Sequence, residues 1–249
     1  MRHSDFKIEY FDIIDSTNTE LKRRATQGAP SHTVFVADEQ TGGRGRMGRS
    51  FFSPRGSGLY MSILLRPVRF EDAGRITTFA AVAVCRALER FGVSVGIKWV
   101  NDILARGRKL CGILCEAGTY EGEPFAVLGI GINIRQTAFP PELADIATSI
   151  ETQTGRIPHR DSIIQEILNE FSEIYGNIED NFTTVMGEYR NRCVTLGKPI
   201  RVIPLSGAPY DAFSVTVDDE GCLLVRTENH PSAPLHRLSS AEISVREVK

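Results

Sequence analysis

A seven-residue stretch, Gly43 to Arg49, contains three glycines and three arginines and lies between two stretches with the pattern of β-strands. Its Gly43-x-Gly45-x-x-Gly48 spacing matches the dinucleotide-binding fingerprint, which requires a helix to start directly afterwards. Phe51-Phe52-Ser53-Pro54 follows instead and does not start a helix. The sequence therefore argues against a Rossmann fold and predicts a loop between strands whose guanidinium groups hold an anion.

The composition of the 249 residues limits the classes of protein to which this chain can belong. Its net charge of −2 argues against general affinity for nucleic acid or membrane surfaces. No apolar run reaches the roughly 18 residues that a membrane span needs, and the N-terminus lacks a signal peptide. The five cysteines are scattered and form no C-x-x-C pair, so neither a disulfide framework nor a zinc site is indicated. We expect a soluble, cytoplasmic protein.

The first helix is predicted to follow a strand at Lys7 to Ile14. Thr17-Asn18-Thr19-Glu20 has the T-x-x-E form of a capping box, which places Ser16, Thr17 and Asn18 at a strand-to-helix turn. These polar groups either cap the helix or face a ligand, and the stretch alone does not decide between the two.

The middle of the chain predicts a mixed, mainly antiparallel sheet flanked by helices, which is an α+β fold. Glu71 to Phe91 has helical periodicity, and a hairpin is expected across Arg106-Gly107-Arg108. Gly129 and Gly131 lie two apart on a predicted strand, where glycine weakens packing unless something approaches that face. A ligand or a crossing helix would explain them equally well.

The sequence changes near Leu196 from helical patterns to short strand patterns. A second amphipathic helix, opened by a capping box at Ser162 to Gln165, and a short helix at about Phe182 to Arg192 precede this point. Five short strands separated by turns follow it, which is typical of a small β-barrel. We therefore expect two domains, 1–195 and 196–249.

The candidate reactive residues are electrostatic in character. The chain has no G-x-S-x-G, H-E-x-x-H or Walker motif, and its five histidines are isolated. A basic and polar set remains, with no protein nucleophile beside it: Arg44, Arg46, Lys98, Asn101, Asp102 and Lys109. Such a set suits attack of a substrate carboxylate on the α-phosphate of a nucleotide, with Mg²⁺ held near Asp102. The alternative is a solvated basic loop with a structural Asn-Asp turn.

Six sequence blocks, in order and spacing, resemble those of the biotin protein ligases. They are Ser16-Thr17-Asn18, Gln40 to Arg49, Ser53-Pro54 with Gly58-Leu59-Tyr60, Lys98 to Asp102, Lys109 to Glu116, and Gly129 to Asn133. The resemblance covers nearly the whole chain. It implies a catalytic domain of the class II aminoacyl-tRNA synthetase-like type and a C-terminal SH3-like barrel.

The resemblance also implies a two-step reaction with biotin and Mg-ATP as substrates. Biotinyl-5′-AMP and diphosphate form first, and a lysine of a biotin carboxyl carrier protein then attacks the adenylate. Lys109, Arg44 and Arg46 would be catalytic, with Mg²⁺ near Asp102. The biotin-binding residues implied are Ser16, Thr17, Asn18, Gln40, Gly43, Arg44, Arg46, Tyr60, Lys109, Gly112, Leu114, Gly129 and Gly131. The ATP-binding residues implied are Arg44, Arg46, Arg49, Phe51, Lys98, Trp99, Asn101, Asp102 and Asn133.

Two departures from the family pattern affect these expectations. Val100 replaces the usual proline, and Phe51 stands where an aromatic residue, often tryptophan, stacks on adenine, so weaker stacking is expected. The chain starts at the first catalytic strand, so we expect no DNA binding and no repressor activity. A homodimer through an exposed sheet edge is an option that the sequence does not decide. The rival interpretations are a lipoate ligase, which shares the fold and the adenylation chemistry, and a non-catalytic biotin or nucleotide sensor.

Overall fold

Seven strands of the computed structural model form one large sheet. The structure describes residues 5–66, 68–69, 72–135, 139–176, 178–228, 230, 232–239 and 243–247. The strands are β1 (Lys7–Ile14), β2 (Thr33–Gln40), β3 (Gly58–Leu65), β4 (Gly96–Lys98), β5 (Asp102–Ala105), β6 (Arg108–Tyr120) and β7 (Glu123–Asn133). Their order in the sheet is β1-β2-β3-β7-β6-β5-β4. Only the pair of β1 with β2 is parallel, which confirms the expected mixed, mainly antiparallel sheet.

Helices cover both faces of this sheet. Helix α1 (Thr17–Ala25) packs on one face against β3 and β7, above the buried side chains of Leu64 and Val127. Helix α2 (Ala73–Arg90) packs on the other face, where α5 (Arg160–Gly176) and α6 (Ile178–Arg192) lie against it. Two short helices, α3 (Pro141–Ala144) and α4 (Ile150–Thr154), lie between β7 and α5. Because β3 is covered on both sides, all eight of its residues are buried.

Tight turns fix the register of the central hairpins. Arg106 and Gly107 both have positive φ, at 48° and 76°, and Glu121 and Gly122 have φ of 51° and 85°. Two consecutive left-handed residues form the type I′ turn, whose twist matches that of antiparallel strands. The first turn brings Lys109 opposite Leu104, and the second brings Gly112 opposite Gly131.

The C-terminal strands form a second sheet. They are β8 (Pro199–Pro204), β9 (Tyr210–Val217), β10 (Leu223–Arg226), β11 (His236–Leu238) and β12 (Ile243–Glu247), in the order β11-β10-β9-β8-β12. All of these pairs are antiparallel. Within the described ranges no pairing joins β11 to β12, so the sheet is open, and the expected barrel stays a prediction.

The turn between β9 and β10 attaches the second sheet to the first part of the chain. The indole Nε1 of Trp99 donates to the carbonyl oxygen of Gly221 at 3.0 Å, and Arg190 Nε donates to the carbonyl oxygen of Val217 at 2.6 Å. A Cβ on Gly74 of α2 would lie 2.7 Å from the carbonyl oxygen of Glu220. The turn therefore packs directly against α2 and against the residue that precedes Val100-Asn101-Asp102.

Three local predictions were wrong. Ser16, not Thr17, caps α1, because its side chain accepts from the backbone N–H of Thr19 and its carbonyl oxygen accepts from that of Glu20. Ser162 lies inside α5, which begins at Arg160, so it caps nothing. The pattern of Val93 to Trp99 predicts a strand over all seven residues, but the structure limits this strand to Gly96–Lys98. No helix in the described part of the chain is long and apolar enough to cross a membrane.

Candidate active site

The arginine loop folds back on itself between β2 and β3. The backbone N–H of Gly45 donates to the carbonyl oxygen of Arg49 at 2.7 Å, and that of Phe51 donates to Gly43 at 2.9 Å. A Cβ on Gly43 would collide with the carbonyl oxygen of Phe51, so glycine is required where the two arms of the loop meet. Met47, at the tip, has a φ of 55° in a short 3₁₀ turn. The arms thus carry Arg44 and Arg46 from β2 towards β6 and the start of β5.

Two of the three arginines in the loop contact residues of the sheet. Arg44 Nη2 lies 3.2 Å from Oε1 of Glu116, and Arg46 Nη1 donates to Oδ1 of Asn101 at 3.1 Å. Burial lowers the pKa of the Arg46 guanidinium, and the nearby carboxylate of Asp102 opposes that shift. The side chain of Arg49 is exposed. The loop is therefore closed over β5 and β6 by charged and polar contacts.

Lys109 and Asp102 form an ion pair at the centre of this region. Their Nζ and Oδ1 atoms lie 2.7 Å apart, with the two side chains 37% and 26% exposed. The backbone of Lys109 is held on both sides, since its N–H donates to Ile146 at 2.7 Å and its carbonyl oxygen accepts from Thr148 at 2.9 Å. The ammonium group is thus partly exposed to solvent while its backbone is fixed.

Three glycines form one face of the sheet beside Lys109. Gly112 on β6 and Gly131 on β7 are paired in the register, and Gly129 lies two residues further along β7. A Cβ on Gly131 would lie 2.6 Å from Cε1 of Phe51, and one on Gly112 would lie 3.1 Å from Nζ of Lys109. We call Gly112, Gly129 and Gly131 the glycine face. The side chains of Lys109 and Phe51 cover Gly112 and Gly131, whereas Asn18 of helix α1 covers Gly129, so a crossing helix accounts for that one glycine.

Polar groups of α1 and β2 meet at the far end of the glycine face. The backbone N–H of Thr17 donates to Oε1 of Gln40 at 2.9 Å, and Nε2 of Gln40 donates to Oγ of Ser53 at 3.0 Å. Nδ2 of Asn18 donates to the carbonyl oxygen of Leu114 at 3.3 Å and to Oε2 of Glu116 at 3.1 Å. Ser16, Thr17 and Asn18 are all buried, so capping and facing the site occur in the same turn.

Tyr60 anchors the segment that follows the loop. Its Oη donates to the carbonyl oxygen of Pro54 at 2.9 Å and lies 2.9 Å from Oγ of Ser57. Burial raises the pKa of Tyr60 to about 12, so the phenol stays neutral at physiological pH. Phe51 packs edge-on against the Tyr60 ring, with centroids 6.4 Å apart, and its own ring lies 5.9 Å from Nζ of Lys109. The aromatic predicted to stack on adenine therefore lies on the glycine face.

The remaining predicted nucleotide residues lie between β4 and β5 and at the end of β7. Asn101 lies beside Arg46 and donates through Nδ2 to the carbonyl oxygen of Ile113 at 2.6 Å. Lys98 pairs with Asp102 in the β4–β5 register, and Nδ2 of Asn133 donates to the carbonyl oxygen of Thr148 at 3.0 Å. Trp99 is 4% exposed and its indole N–H donates to the carbonyl oxygen of Gly221, so its side chain packs between the two sheets.

Two polar residues of the site, Ser62 and Glu116, were not among the predicted site residues. Ser62 is fully buried in β3, and Glu116 joins Arg44 to Asn18. An alternation signal was available for Ser62, because residues two apart on a strand share a face and Tyr60 was already assigned to the site. Across the described residues, no cluster of three or more His, Cys, Asp or Glu side chains could hold a metal ion.

Comparisons with known proteins identify the family of this chain. The family model of the biotin/lipoate A/B protein ligase family matches residues 10–133. The bifunctional ligase/repressor BirA of Bacillus subtilis is 37% identical over 242 residues, which cover 95% of this chain and 73% of that protein. The biotin–[acetyl-CoA-carboxylase] ligase of Mycobacterium tuberculosis is 33% identical over 215 residues, which cover 84% and 79%.

A solved structure shares the fold over nearly its whole length. The biotin protein ligase from Aquifex aeolicus in complex with biotin and ATP superposes with a TM-score of 0.83 at 28% identity, covering 97% of this chain and 99% of that one. The chain belongs to the biotin/lipoate A/B protein ligase family. Within that family it is a biotin ligase enzyme.

Proposed function

We propose that the chain catalyses two successive transfers. In the first, a carboxylate oxygen of biotin attacks the α-phosphorus of ATP, and diphosphate leaves with the electrons of the broken P–O bond. In the second, the neutral amine of a lysine on a biotin carboxyl carrier protein attacks the acyl carbon of biotinyl-5′-AMP, and AMP leaves. The observation that carries the proposal is the Lys109–Asp102 ion pair, 2.7 Å long, beside the glycine face.

Lys109 is suited to the first transfer because it can bring two anions together. A carboxylate and a triphosphate repel each other, and a fixed cation between them lowers the energy of the transition state more than that of the separated reactants. Its fixed backbone and partly exposed ammonium favour this role. Arg44 and Arg46, carried by the closed loop, supply further positive charge. No protein side chain needs to act as nucleophile.

The biotin moiety is proposed to bind between the glycine face and α1. Donors and acceptors are provided there by the buried residues Ser16, Thr17 and Asn18 and by the half-buried Gln40, which suit a ureide that would otherwise be buried without hydrogen bonds. The remaining proposed biotin contacts are Gly43, Arg44, Arg46, Tyr60, Lys109, Gly112, Leu114, Gly129 and Gly131.

The nucleotide is proposed to bind on the side of β4, β5 and the end of β7. Arg44, Arg46, Arg49, Lys98, Asn101, Asp102 and Asn133 would face it, with Phe51 at the border between the two ligands. Trp99 would act through the backbone, since its indole is already bonded to Gly221.

Mg²⁺ fits this side of the site. A single partly exposed carboxylate, Asp102, stands among cationic side chains, and Mg²⁺ is commonly held by one or two carboxylates together with substrate phosphates. When bound, the ion would neutralise phosphate charge. Asp102 would be the residue that holds the ion, beside the ammonium group of Lys109.

The architecture supports a proposed division at residue 195, with 1–195 as the catalytic domain and 196–249 as an SH3-like barrel. The five antiparallel strands of the second sheet all lie beyond that boundary. Absence of repressor activity stays a prediction, which a gel-shift assay with operator DNA would test. A homodimer also stays a prediction, which sedimentation analysis with and without biotin and ATP would test.

Diphosphate release from Mg-ATP tests the proposed function. Purified protein would be incubated with biotin, lipoate, octanoate or no acid. Release with biotin alone, followed by labelling of an added carrier domain, is the expected result. Release with lipoate or octanoate would instead assign a lipoate ligase, and tight biotin binding without release would assign a sensor.

A further inference from the structure

Ser62 occupies the centre of a buried polar cluster under the glycine face. It lies in the middle of β3, is 0% exposed, and is paired in the register with Gly129. Its Oγ lies 2.7 Å from Oγ1 of Thr17 and 2.6 Å from Oδ1 of Asn18. A Cβ on Gly129 would collide with the Asn18 amide, so that glycine leaves the space in which Asn18 reaches Ser62.

A serine hydroxyl has one proton, and it cannot serve both short contacts. The Asn18 amide is oriented by its Nδ2, which points to two acceptors, the carbonyl oxygen of Leu114 and the carboxylate of Glu116. Oδ1 of Asn18 therefore faces Ser62 and has no proton of its own. The Ser62 proton must lie in that 2.6 Å contact, because two oxygens without a proton between them would repel at this distance.

The proton of Thr17 then has a fixed place. It fills the 2.7 Å contact to Ser62 and not the longer 3.1 Å contact from Oγ1 to Oε1 of Gln40, because two oxygens at 2.7 Å need a proton between them and Oε1 already accepts from the backbone N–H of Thr17. With its proton directed at Ser62, Oγ1 of Thr17 is left with lone pairs for a ligand and can accept a hydrogen bond but not donate one. The dithiolane ring of lipoate has no N–H group, so it could not donate a hydrogen bond to this oxygen.

We propose that Ser62 is a positioning residue that sets the hydrogen-bond polarity of the biotin pocket. Ser62 accepts a hydrogen bond from the hydroxyl of Thr17 and donates one to Oδ1 of Asn18. The oxygen of Thr17 is thereby left as an acceptor for an N–H of the ureide ring. The inference rests on the proposed function for the identity of the ligand. Ser62 itself touches no reacting atom, so its effect is on biotin affinity and not on the chemical step.

The test compares Ser62→Ala with the wild-type chain, using titration calorimetry for the Kd of biotin and of ATP, and diphosphate release for kcat. Ser62→Ala is expected to raise the Kd of biotin about tenfold, the effect of one lost hydrogen bond of about 1.4 kcal/mol. The Kd of ATP and kcat at saturating biotin should stay unchanged. Ser62→Cys keeps a weak donor, so its Kd of biotin should lie between the values of the wild-type chain and of Ser62→Ala. This variant provides the test if the alanine variant does not fold.

Ser172→Ala is the matched control, because Ser172 is a buried serine of α5 whose Oγ donates to the carbonyl oxygen of Leu168 at 2.6 Å. It should leave the Kd of biotin unchanged. A wild-type Kd of biotin in folded Ser62→Ala, or equal losses in ATP affinity and kcat, would overturn the positioning role. Biotin binding without turnover in the wild-type chain would contradict the proposed function and leave the Ser62 test intact.

Discussion

The ring of Phe51 lies against the backbone of Gly131, so close that a Cβ on residue 131 would come within 2.6 Å of Cε1 and 2.7 Å of Cζ. The aromatic ring thus fills the space that a side chain on β7 would otherwise occupy. Since the glycine face is the proposed floor of the biotin site, Phe51 must move or share that face when biotin binds.

Gly131→Ala should destabilise the protein by about 1–3 kcal/mol, because the added methyl forces the Phe51 ring from its place. Urea denaturation measures the change. In the double variant with Phe51→Ala most of this loss should disappear, giving a coupling free energy above about 0.5 kcal/mol. Additive effects of the two substitutions would show that the ring and residue 131 are not in contact.

Lys109→Ala should lower kcat for biotin-dependent diphosphate release by on the order of 100-fold or more, because a charge that stabilises the transition state is lost. Stopped-flow measurement with saturating biotin and ATP gives the rate. Lys7→Ala, which removes an exposed lysine of β1, is the control and should retain wild-type kcat. A Lys109→Ala rate within a few-fold of wild type would remove Lys109 from the mechanism.

Glu170→Ala should destabilise the protein by about 1–3 kcal/mol without changing the KM of either substrate. Glu170 is 5% exposed on α5 and its carboxylate contacts Arg86 at 3.5 Å and Arg90 at 2.7 Å, both on α2. Glu166→Ala, which removes a half-buried partner of the same Arg90 that is more exposed than Glu170, should cost at most about 1 kcal/mol. Equal urea midpoints for the two variants would contradict the importance of burial.

Stability should fall in acid, partly through Glu188. Burial acts to raise the pKa of this carboxyl, but hydrogen bonds from Arg86 and Arg192 outweigh it and hold the pKa below 4.5. A lowered pKa in the folded state stabilises the protein above the unfolded value, and this contribution is lost as the pH falls through the folded pKa. Urea midpoints measured between about pH 6 and about pH 3 should decline less steeply in Glu188→Gln than in the wild-type protein. An unchanged slope would assign the decline to other carboxyls.

The arginine loop is predicted to be ordered by ligand, since its glycines and mutually repelling arginines oppose a fixed conformation. Chymotrypsin can report this at Met47, Phe51 and Phe52 without depending on arginine. Arg46→Gly, which removes the contact with Asn101, should be cut faster than the wild-type chain. Biotin and ATP should also protect the loop of this variant less from cleavage than they protect the wild-type loop.

Arg55→Ala is the comparison for that experiment, because Arg55 lies just beyond the loop and pairs with Asp38 and Glu39. Its cleavage rate should match that of the wild type. Equal resistance of the wild-type loop with and without both substrates would contradict ligand-induced ordering.

The sequence was sufficient for features set by local chemistry or by alternation. The hairpin at Arg106-Gly107 and the antiparallel middle of the sheet were predicted because turn residues and strand periodicity are short-range signals. The cap of α1 was misplaced by one residue, since Ser16 and Thr17 are both good capping residues and only the backbone geometry chooses between them.

Long-range contacts were beyond the sequence. Ser62 stands among apolar neighbours in β3, and only the approach of α1 shows that its hydroxyl meets Thr17 and Asn18. Trp99 was assigned to the nucleotide because it lies between Lys98 and Asn101, but a turn more than a hundred residues later takes its indole N–H. Such pairings depend on how distant elements pack, which spacing along the chain does not encode.

The attachment of that turn to Trp99 limits where the chain can be divided for fragment complementation. A first fragment that ended before Pro199 would expose the Trp99 indole and leave its N–H without Gly221, next to the residues that face the nucleotide. A second fragment that carried the turn at 218–222 would bury the indole again and restore its hydrogen bond to Gly221 when the two fragments associate. Reconstituted activity would then report the joining of the two fragments directly, since the indole and the nucleotide side belong to the same short segment.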